Sequence, residues 1–179
     1  EIGQSADRQT VPQNVNILDT SKIFQRSAAT MAQVAEVEPG VRMQKTSPTI
    51  GGIFVRGLAG KNVNTYVDGV RYTTSAQRGG INTFFNLNEP SNMQTVEILR
   101  GSSSAQYGSD ALGGTVNMLT RSPKFGADKP EFHGEFKTRF NSADRSFGGS
   151  SMLSYGTDKL GGFVNLAARR IGTLRTADG

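Results

Sequence analysis

The sequence predicts a small α+β domain with a mixed β-sheet, followed by antiparallel strands patterned like those of a transmembrane β-barrel. Three observations carry this expectation. First, 22 of 179 residues are Gly and only 35% are hydrophobic, which favours short strands joined by turns over a helical bundle. Second, Asp68-Gly69 stands between two alternating runs, the strongest short-range signal for a two-residue hairpin. Third, residues 132–140 alternate strictly, with aromatic or small residues on one face and charged residues on the other.

Taken in order, the first half alternates short strands with at least one helix. Ser27 is placed to cap a helix carrying Met31, Val34 and Val37 at three-residue spacing, stopped by Pro39-Gly40. Ile53 and Val55 face opposite to Phe54 and Arg56 in a strand that ends at Gly57. Val63, Thr65 and Val67 lead into the Asp68-Gly69 turn, and Val70 and Tyr72 return from it. Thr95–Leu99 and Thr115–Leu119 supply two further strands. Between them, Gly101, Gly108, Gly113 and Gly114 serve backbone geometry, through positive φ or close approach of strands.

After Pro123 the pattern changes. Phe132, Gly134, Phe136, Thr138 and Phe140 share one face, and His133, Glu135, Lys137 and Arg139 the other. Nine such residues match the length of a membrane-spanning strand. A loop is expected at Asn141–Ser146 and a second strand at 150–155, with Leu153 and Tyr155 on the apolar face. Gly156-Thr157-Asp158-Lys159 is a tight turn, and a third strand sets Val164, Leu166 and Ala168 against Asn165 and Arg169. Soluble antiparallel meanders alternate too, so the pattern alone leaves both readings open. Three strands cannot close a barrel, so a membrane reading requires further strands.

Composition excludes several functions. With no Cys there is no disulfide and no thiolate metal site. The single His, His133, alternates with phenylalanines and reads as an ordinary polar residue; no metal ligand set or cofactor site is expected. The net charge of +5 is dispersed, with 11 Lys/Arg against 9 Asp/Glu in residues 1–123 and 9 against 6 beyond, so no nucleic-acid stripe forms. No apolar run approaches the ~20 residues of a spanning helix. Glu1 does not begin a signal peptide, and the chain reads as mature protein. Ala59-Gly60-Lys61 ends like a phosphate loop, yet Val55 occupies the earlier glycine position and Asn62 the Ser/Thr position. There is no GxSxG. No enzyme is expected.

Several segments, in order, resemble the plug domain of TonB-dependent outer-membrane receptors. VPQNVNIL (Val11–Leu18) resembles its opening strand, MAQVAEVEPGV (Met31–Val41) the helix ending in Pro-Gly-Val, and IFVRGL (Ile53–Leu58) the strand ending in Arg-Gly. VNTYVDGVR (Val63–Arg71) resembles the strand ending in Asp-Gly, and VEILRGSSSAQYGSDALGGTVNMLTRSP (Val96–Pro123) the closing segment. The resemblance implies an N-terminal segment at 1–10, a plug at 11–123, and a linker with about three opening barrel strands at 124–179. The complete barrel would have about 22 strands around a plugged lumen, in the outer membrane of a Gram-negative bacterium. It implies import of a scarce nutrient, such as a ferric siderophore, haem or cobalamin, driven by TonB and its inner-membrane energising complex. Outer-membrane lipid is then a further partner. Glu1–Thr10 does not match the family's TonB-contacting box, so energy coupling is implied by the family alone.

The resemblance also implies that Arg56 and Arg100, with Glu97, make plug–barrel contacts, because plug arginines meet acidic groups of the wall. Internal pairs with Glu97 or Asp68 are the alternative. Ligand-binding candidates lie on two Gly-rich loops, Arg42–Gly52 and Thr73–Phe85: Gln44, Lys45, Tyr72, Arg78, Phe84 and Phe85. The two phenylalanines are equally suited to the core beneath the loop. Two other functions stay open. One is an importer of oligomeric nutrients that works with a surface lipoprotein and would carry an extra N-terminal domain. The other is a periplasmic or secreted α+β module that binds a protein partner.

Overall fold

The computed structural model describes residues 14–45, 51–72, 83–102, 104–123, 129–142 and 144–172. They fall into two units that meet at Thr120 and Arg121.

The first unit runs β1 (Asn14–Asp19), α1 (Thr20–Gln25), α2 (Met31–Glu36), β2 (Val41–Lys45), β3 (Gly51–Val55), β4 (Val63–Val67), β5 (Val70–Arg71), β6 (Met93–Arg100), α3 (Ser104–Tyr107) and β7 (Gly114–Thr120). Five strands form one sheet in the order β1-β6-β7-β4-β5, and β2 pairs with β3 separately. β7 runs antiparallel to β6 and parallel to β4, so the sheet is mixed, as the sequence predicts. Its central position explains its composition. Val116 and Met118 point into the core beside Val96 and Ile98, while Thr115 and Asn117 are buried on the opposite face. Asn117 donates from Nδ2 to Glu97 across the ladder at 3.1 Å, while its Oδ1 is buried without a hydrogen bond.

The core closes over the sheet with Met31, Ala32, Val34 and Ala35 of α2, Ile53 and Val55 of β3, and Phe85. The hairpin at Asp68-Gly69 forms as expected, with φ of 49° and 82°, the pair of left-handed residues a type I′ turn requires. Asp68 has a second use: its carboxylate accepts from the Thr120 amide at 2.8 Å and hydroxyl at 2.6 Å, closing the end of β7. Gly114 lies where strands nearly touch, since a Cβ there would stand 2.3 Å from the Leu99 carbonyl oxygen.

The second unit is an antiparallel meander of β8 (Glu131–Asn141), β9 (Ser146–Gly156) and β10 (Gly161–Arg170). Register is unbroken, with Phe132 opposite Tyr155 and Phe140 opposite Phe147. All three strands are longer than the alternation alone marked. The glycines and serines of residues 146–150 hide the first half of β9, and the ends of the expected Asn141–Ser146 loop belong to β8 and β9.

The structure corrects other expectations. The cap of α2 is Thr30, which forms a capping box with Gln33; Ser27 has φ of 48° and lies outside the helix. Val37 is the exposed C-cap residue, because six residues do not bring it back to the buried stripe. Two short helices, α1 and α3, carry too few apolar residues to show a period, and α1 forms on the Asp19 cap. Arg42–Gly52 is mostly the β2–β3 hairpin, since Val41 and Ile53 gain burial on pairing; residues 46–50 lie outside the described part.

Candidate functional site

Two glycine-flanked arginines meet at one corner of the first unit. Arg56 follows β3 in a left-handed conformation, φ 53°, and its amide donates to the Gly40 carbonyl at 2.9 Å. Arg100 ends β6. Each arginine lies over a glycine beside the other. The Arg100 Cδ is 3.2 Å from where a Cβ on Gly40 would sit, and an Arg56 guanidinium nitrogen 3.0 Å from the equivalent point on Gly101. A side chain at Gly101 would press on the Arg56 guanidinium, and one at Gly40 on the Arg100 Cδ methylene.

Neither arginine forms an ion pair with a described residue. The internal partners considered from sequence are turned elsewhere: Asp68 toward Thr120, and Glu97 toward Asn117. The Arg100 Nε is buried without a hydrogen bond. Two neighbouring cations, one of them partly desolvated, form a corner suited to carboxylates from outside the described residues.

The adjoining loop, 101–113, is held by a different set of residues. Asn64 Nδ2 and the Tyr66 hydroxyl both donate to the Tyr107 carbonyl at 2.7 Å, and the two tyrosine rings meet edge to face at 5.7 Å. Arg71 donates to Asn64 Oδ1 at 2.9 Å and pairs with Asp110 at 2.6 Å. Sequence reasoning missed this network. Its one legible sign was polar Asn64 inside an apolar strand.

Of the ligand-loop candidates, the structure places the side chains of Gln44, Tyr72 and Phe85. Gln44 is exposed on β2, and Lys45 ends that strand with its side chain outside the described part. Tyr72 follows β5, its amide bound to the Thr65 carbonyl at 2.7 Å. Arg78 and the Phe84 side chain lie outside the described residues. Phe85 is 1% exposed and packs in the core from a 3-10 turn at Thr83–Leu87, so of its two readings the structure takes the core one.

In the second unit the polarity of the sheet is inverted relative to a water-soluble one. Phe132, Phe136 and Phe140 are 68%, 75% and 68% exposed. Phe147, Leu153, Tyr155, Val164 and Leu166 share their face by register and are also exposed. The charged face is the crowded one: Glu135 accepts from Arg121 at 2.9 Å and from Lys137 at 2.6 Å. No soluble core covers the phenylalanines among the described residues.

A family model described as the TonB-dependent Receptor Plug Domain matches residues 7–115. The chain belongs to the TonB-dependent receptors. Among relatives, it is 31% identical over 173 residues to a "Hemin receptor" of Yersinia pestis, covering 94% of this chain and 25% of that protein. It is 30% identical over 111 residues to "Vitamin B12 transporter BtuB" of Vibrio vulnificus, covering 61% and 18%. Among solved structures, the ferric enterobactin receptor of Pseudomonas aeruginosa superimposes with a TM-score of 0.64 at 23% identity, covering 88% of this chain and 25% of that one. The pyoverdine outer membrane receptor FpvA of the same organism gives 0.66 at 18%, covering 83% and 20%. The expected family and fold are thus borne out: a plug with a mixed sheet, then antiparallel strands. This TonB-dependent receptor chain spans a quarter or less of the length of the curated relatives it matches.

Proposed function

We propose that the chain forms the plug and opening wall strands of a Gram-negative outer-membrane receptor that imports a scarce nutrient by TonB-driven movement of the plug. The observation that carries this is a plug-type domain followed directly by a sheet whose apolar face is bare and whose charged face is crowded. Aromatic pairs stand near both ends of that face, Phe132 with Tyr155 and Phe140 with Phe147. Eight residues of strand at ~3.4 Å each, tilted by about 40°, put these pairs roughly 21 Å apart along a barrel axis, close to the ~25 Å apolar band of outer-membrane barrels. Among the described residues both edges of the three-stranded sheet are open, and in this reading further strands close it, to about 22 in a plugged barrel.

In this reading residues 1–10 face the periplasm, 11–123 fill the lumen, and 124–179 link to and begin the wall. Arg56 and Arg100 seat the plug against wall carboxylates, and Glu97 makes a further wall contact from the other face of β6. Gln44, Lys45, Tyr72, Arg78 and Phe84 contact the nutrient at the outward loops, with Phe85 anchoring the loop root from below. The nutrient is a ferric siderophore, haem or cobalamin, by analogy with what the relatives' names state. The chain is a transporter component and not an enzyme, and TonB with its energising complex supplies the pull.

The test is binding of the full-length receptor to ferric enterobactin, haem and cyanocobalamin, with uptake compared in cells with and without TonB. Saturable binding of one ligand and TonB-dependent uptake support the reading; binding of none of the three classes refutes it. Arg100→Ala should expose the plug of the assembled receptor to protease, and unchanged resistance would remove Arg100 from the seating contacts.

A further inference from the structure

The two ends of the second unit differ in charge. Around the 142–145 turn and the end of β10, the described residues hold Arg139, Arg145, Arg169 and Arg170 with Asp144 as the only acid. Around the 157–160 turn and the start of β8, Lys129 and Lys159 are balanced by Glu131 and Asp158. One rim is strongly cationic and the other is neutral.

Register assigns the arginines to faces. Arg170 pairs with Phe147, which pairs with Phe140, so Arg170 shares the apolar face and stands beside an aromatic pair. Arg139 and Arg169 flank Gly148 on the charged face, where a Cβ on Gly148 would meet an Arg139 guanidinium nitrogen at 3.4 Å and the Arg169 Cβ at 3.2 Å. Arg145 lies in the turn, exposed, with φ of 49°. Neither Arg145 nor Arg170 forms an ion pair with a described residue. Asp144, the one acid nearby among the described residues, is engaged within the turn, its Oδ1 accepting from the Ser146 amide at 3.0 Å.

An arginine on the lipid face costs ~2–4 kcal/mol at the bilayer midplane and almost nothing at the interface, which fixes Arg170 at headgroup depth. There its planar fork matches a phosphate bidentately, and the adjoining aromatic rings lie against acyl chains. We propose that this rim is a binding surface for a phosphorylated lipid headgroup, with Arg170 and Arg145 holding phosphate and Phe140 and Phe147 holding the chain beneath it. The proposal rests on the reading of this sheet as a barrel wall. Among the described residues the neutral rim has no comparable site, so the surface also orients the wall toward the leaflet richer in phosphate.

The experiment uses the full-length receptor in neutral detergent, titrated with bis-phosphorylated lipid A, its dephosphorylated counterpart and inorganic phosphate, with bound lipid counted by native mass spectrometry. Lipid A should bind, removal of its phosphates should weaken it roughly tenfold to thirtyfold, and Arg145→Gln/Arg170→Gln should do the same, as expected for two interfacial arginines. Lys129→Gln/Lys159→Gln at the other rim should leave binding unchanged. Equal retention by the arginine variant overturns the proposal, as does displacement of lipid A by millimolar inorganic phosphate, which would mark a simple anion site. Insertion into vesicles and heat-modifiable gel mobility are scored separately. Loss of these in the wild type refutes the wall reading itself, whereas a well-inserted receptor indifferent to lipid phosphate refutes only the headgroup site.

Discussion

Asp19 joins a strand to a helix through one carboxylate. Its Oδ1 accepts from the Lys22 amide at 2.9 Å and from the Ser21 hydroxyl at 2.8 Å. The backbone hydrogen bond from Lys22, then the side-chain hydrogen bond from Ser21, hold its pKa below the usual carboxylate value, because both favour the charged form. A lowered folded pKa contributes stability that is complete above ~3.9 and is lost as pH falls through the folded value. Acid titration of protease protection at residues 14–25 should therefore show a weakening below about pH 4 that Asp19→Asn abolishes. An identical acid profile in the variant would remove Asp19 as its source. At Gly114 the constraint is steric. Ala at this position would press its Cβ on the Leu99 carbonyl oxygen and on Val55, and nearby backbone cannot yield. Gly114→Ala should destabilise the first unit by about 3 kcal/mol, read from the denaturant midpoint of the purified receptor.

At the scale of elements, caps and pairings decide what hydrophobic period cannot. α2 has six residues, too few to form alone in water, and it stands on the Thr30–Gln33 box and on packing of its Met31–Val34 face. Thr30→Ala should cost about 1 kcal/mol and Thr30→Ser much less, measured as hydrogen-exchange protection of residues 31–36. Equal loss in both variants would assign the effect to burial of the methyl group. Ser27, the cap expected from sequence, takes a left-handed φ outside the helix, whereas Thr30 has extended backbone and closes the box with Gln33. The hairpin at Asp68-Gly69 was readable because its turn chemistry is local. The β2–β3 hairpin was not, because Thr46–Ile50 and the flanking glycines look like loop until the strands meet.

At the scale of the molecule, the two units follow opposite burial rules. The first gathers its main apolar cluster beneath the sheet and leaves only scattered apolar residues exposed, whereas the second turns eight large ones outward on a single face. A lipid-facing wall predicts a matching asymmetry in tolerance. Phe136→Arg should lower the folding yield of the receptor in vesicles by the equivalent of ~2–4 kcal/mol, while Lys137→Gln on the crowded face should leave insertion intact. If both variants insert equally well, the apolar face does not meet lipid.

Alternation, turn chemistry and spaced Arg-Gly and Asp-Gly pairs are properties of neighbouring residues, so the sequence alone determined the family, the mixed sheet and the amphipathic strands. Partnership between distant residues depends on which strands become neighbours, and that only the tertiary structure decided. It brought Arg56 to Gly101 and Arg100 to Gly40, tied Arg71 to Asp110, and sank Phe85 into the core. Local pattern fixes which face of a strand is apolar, whereas long-range packing fixes what that face touches.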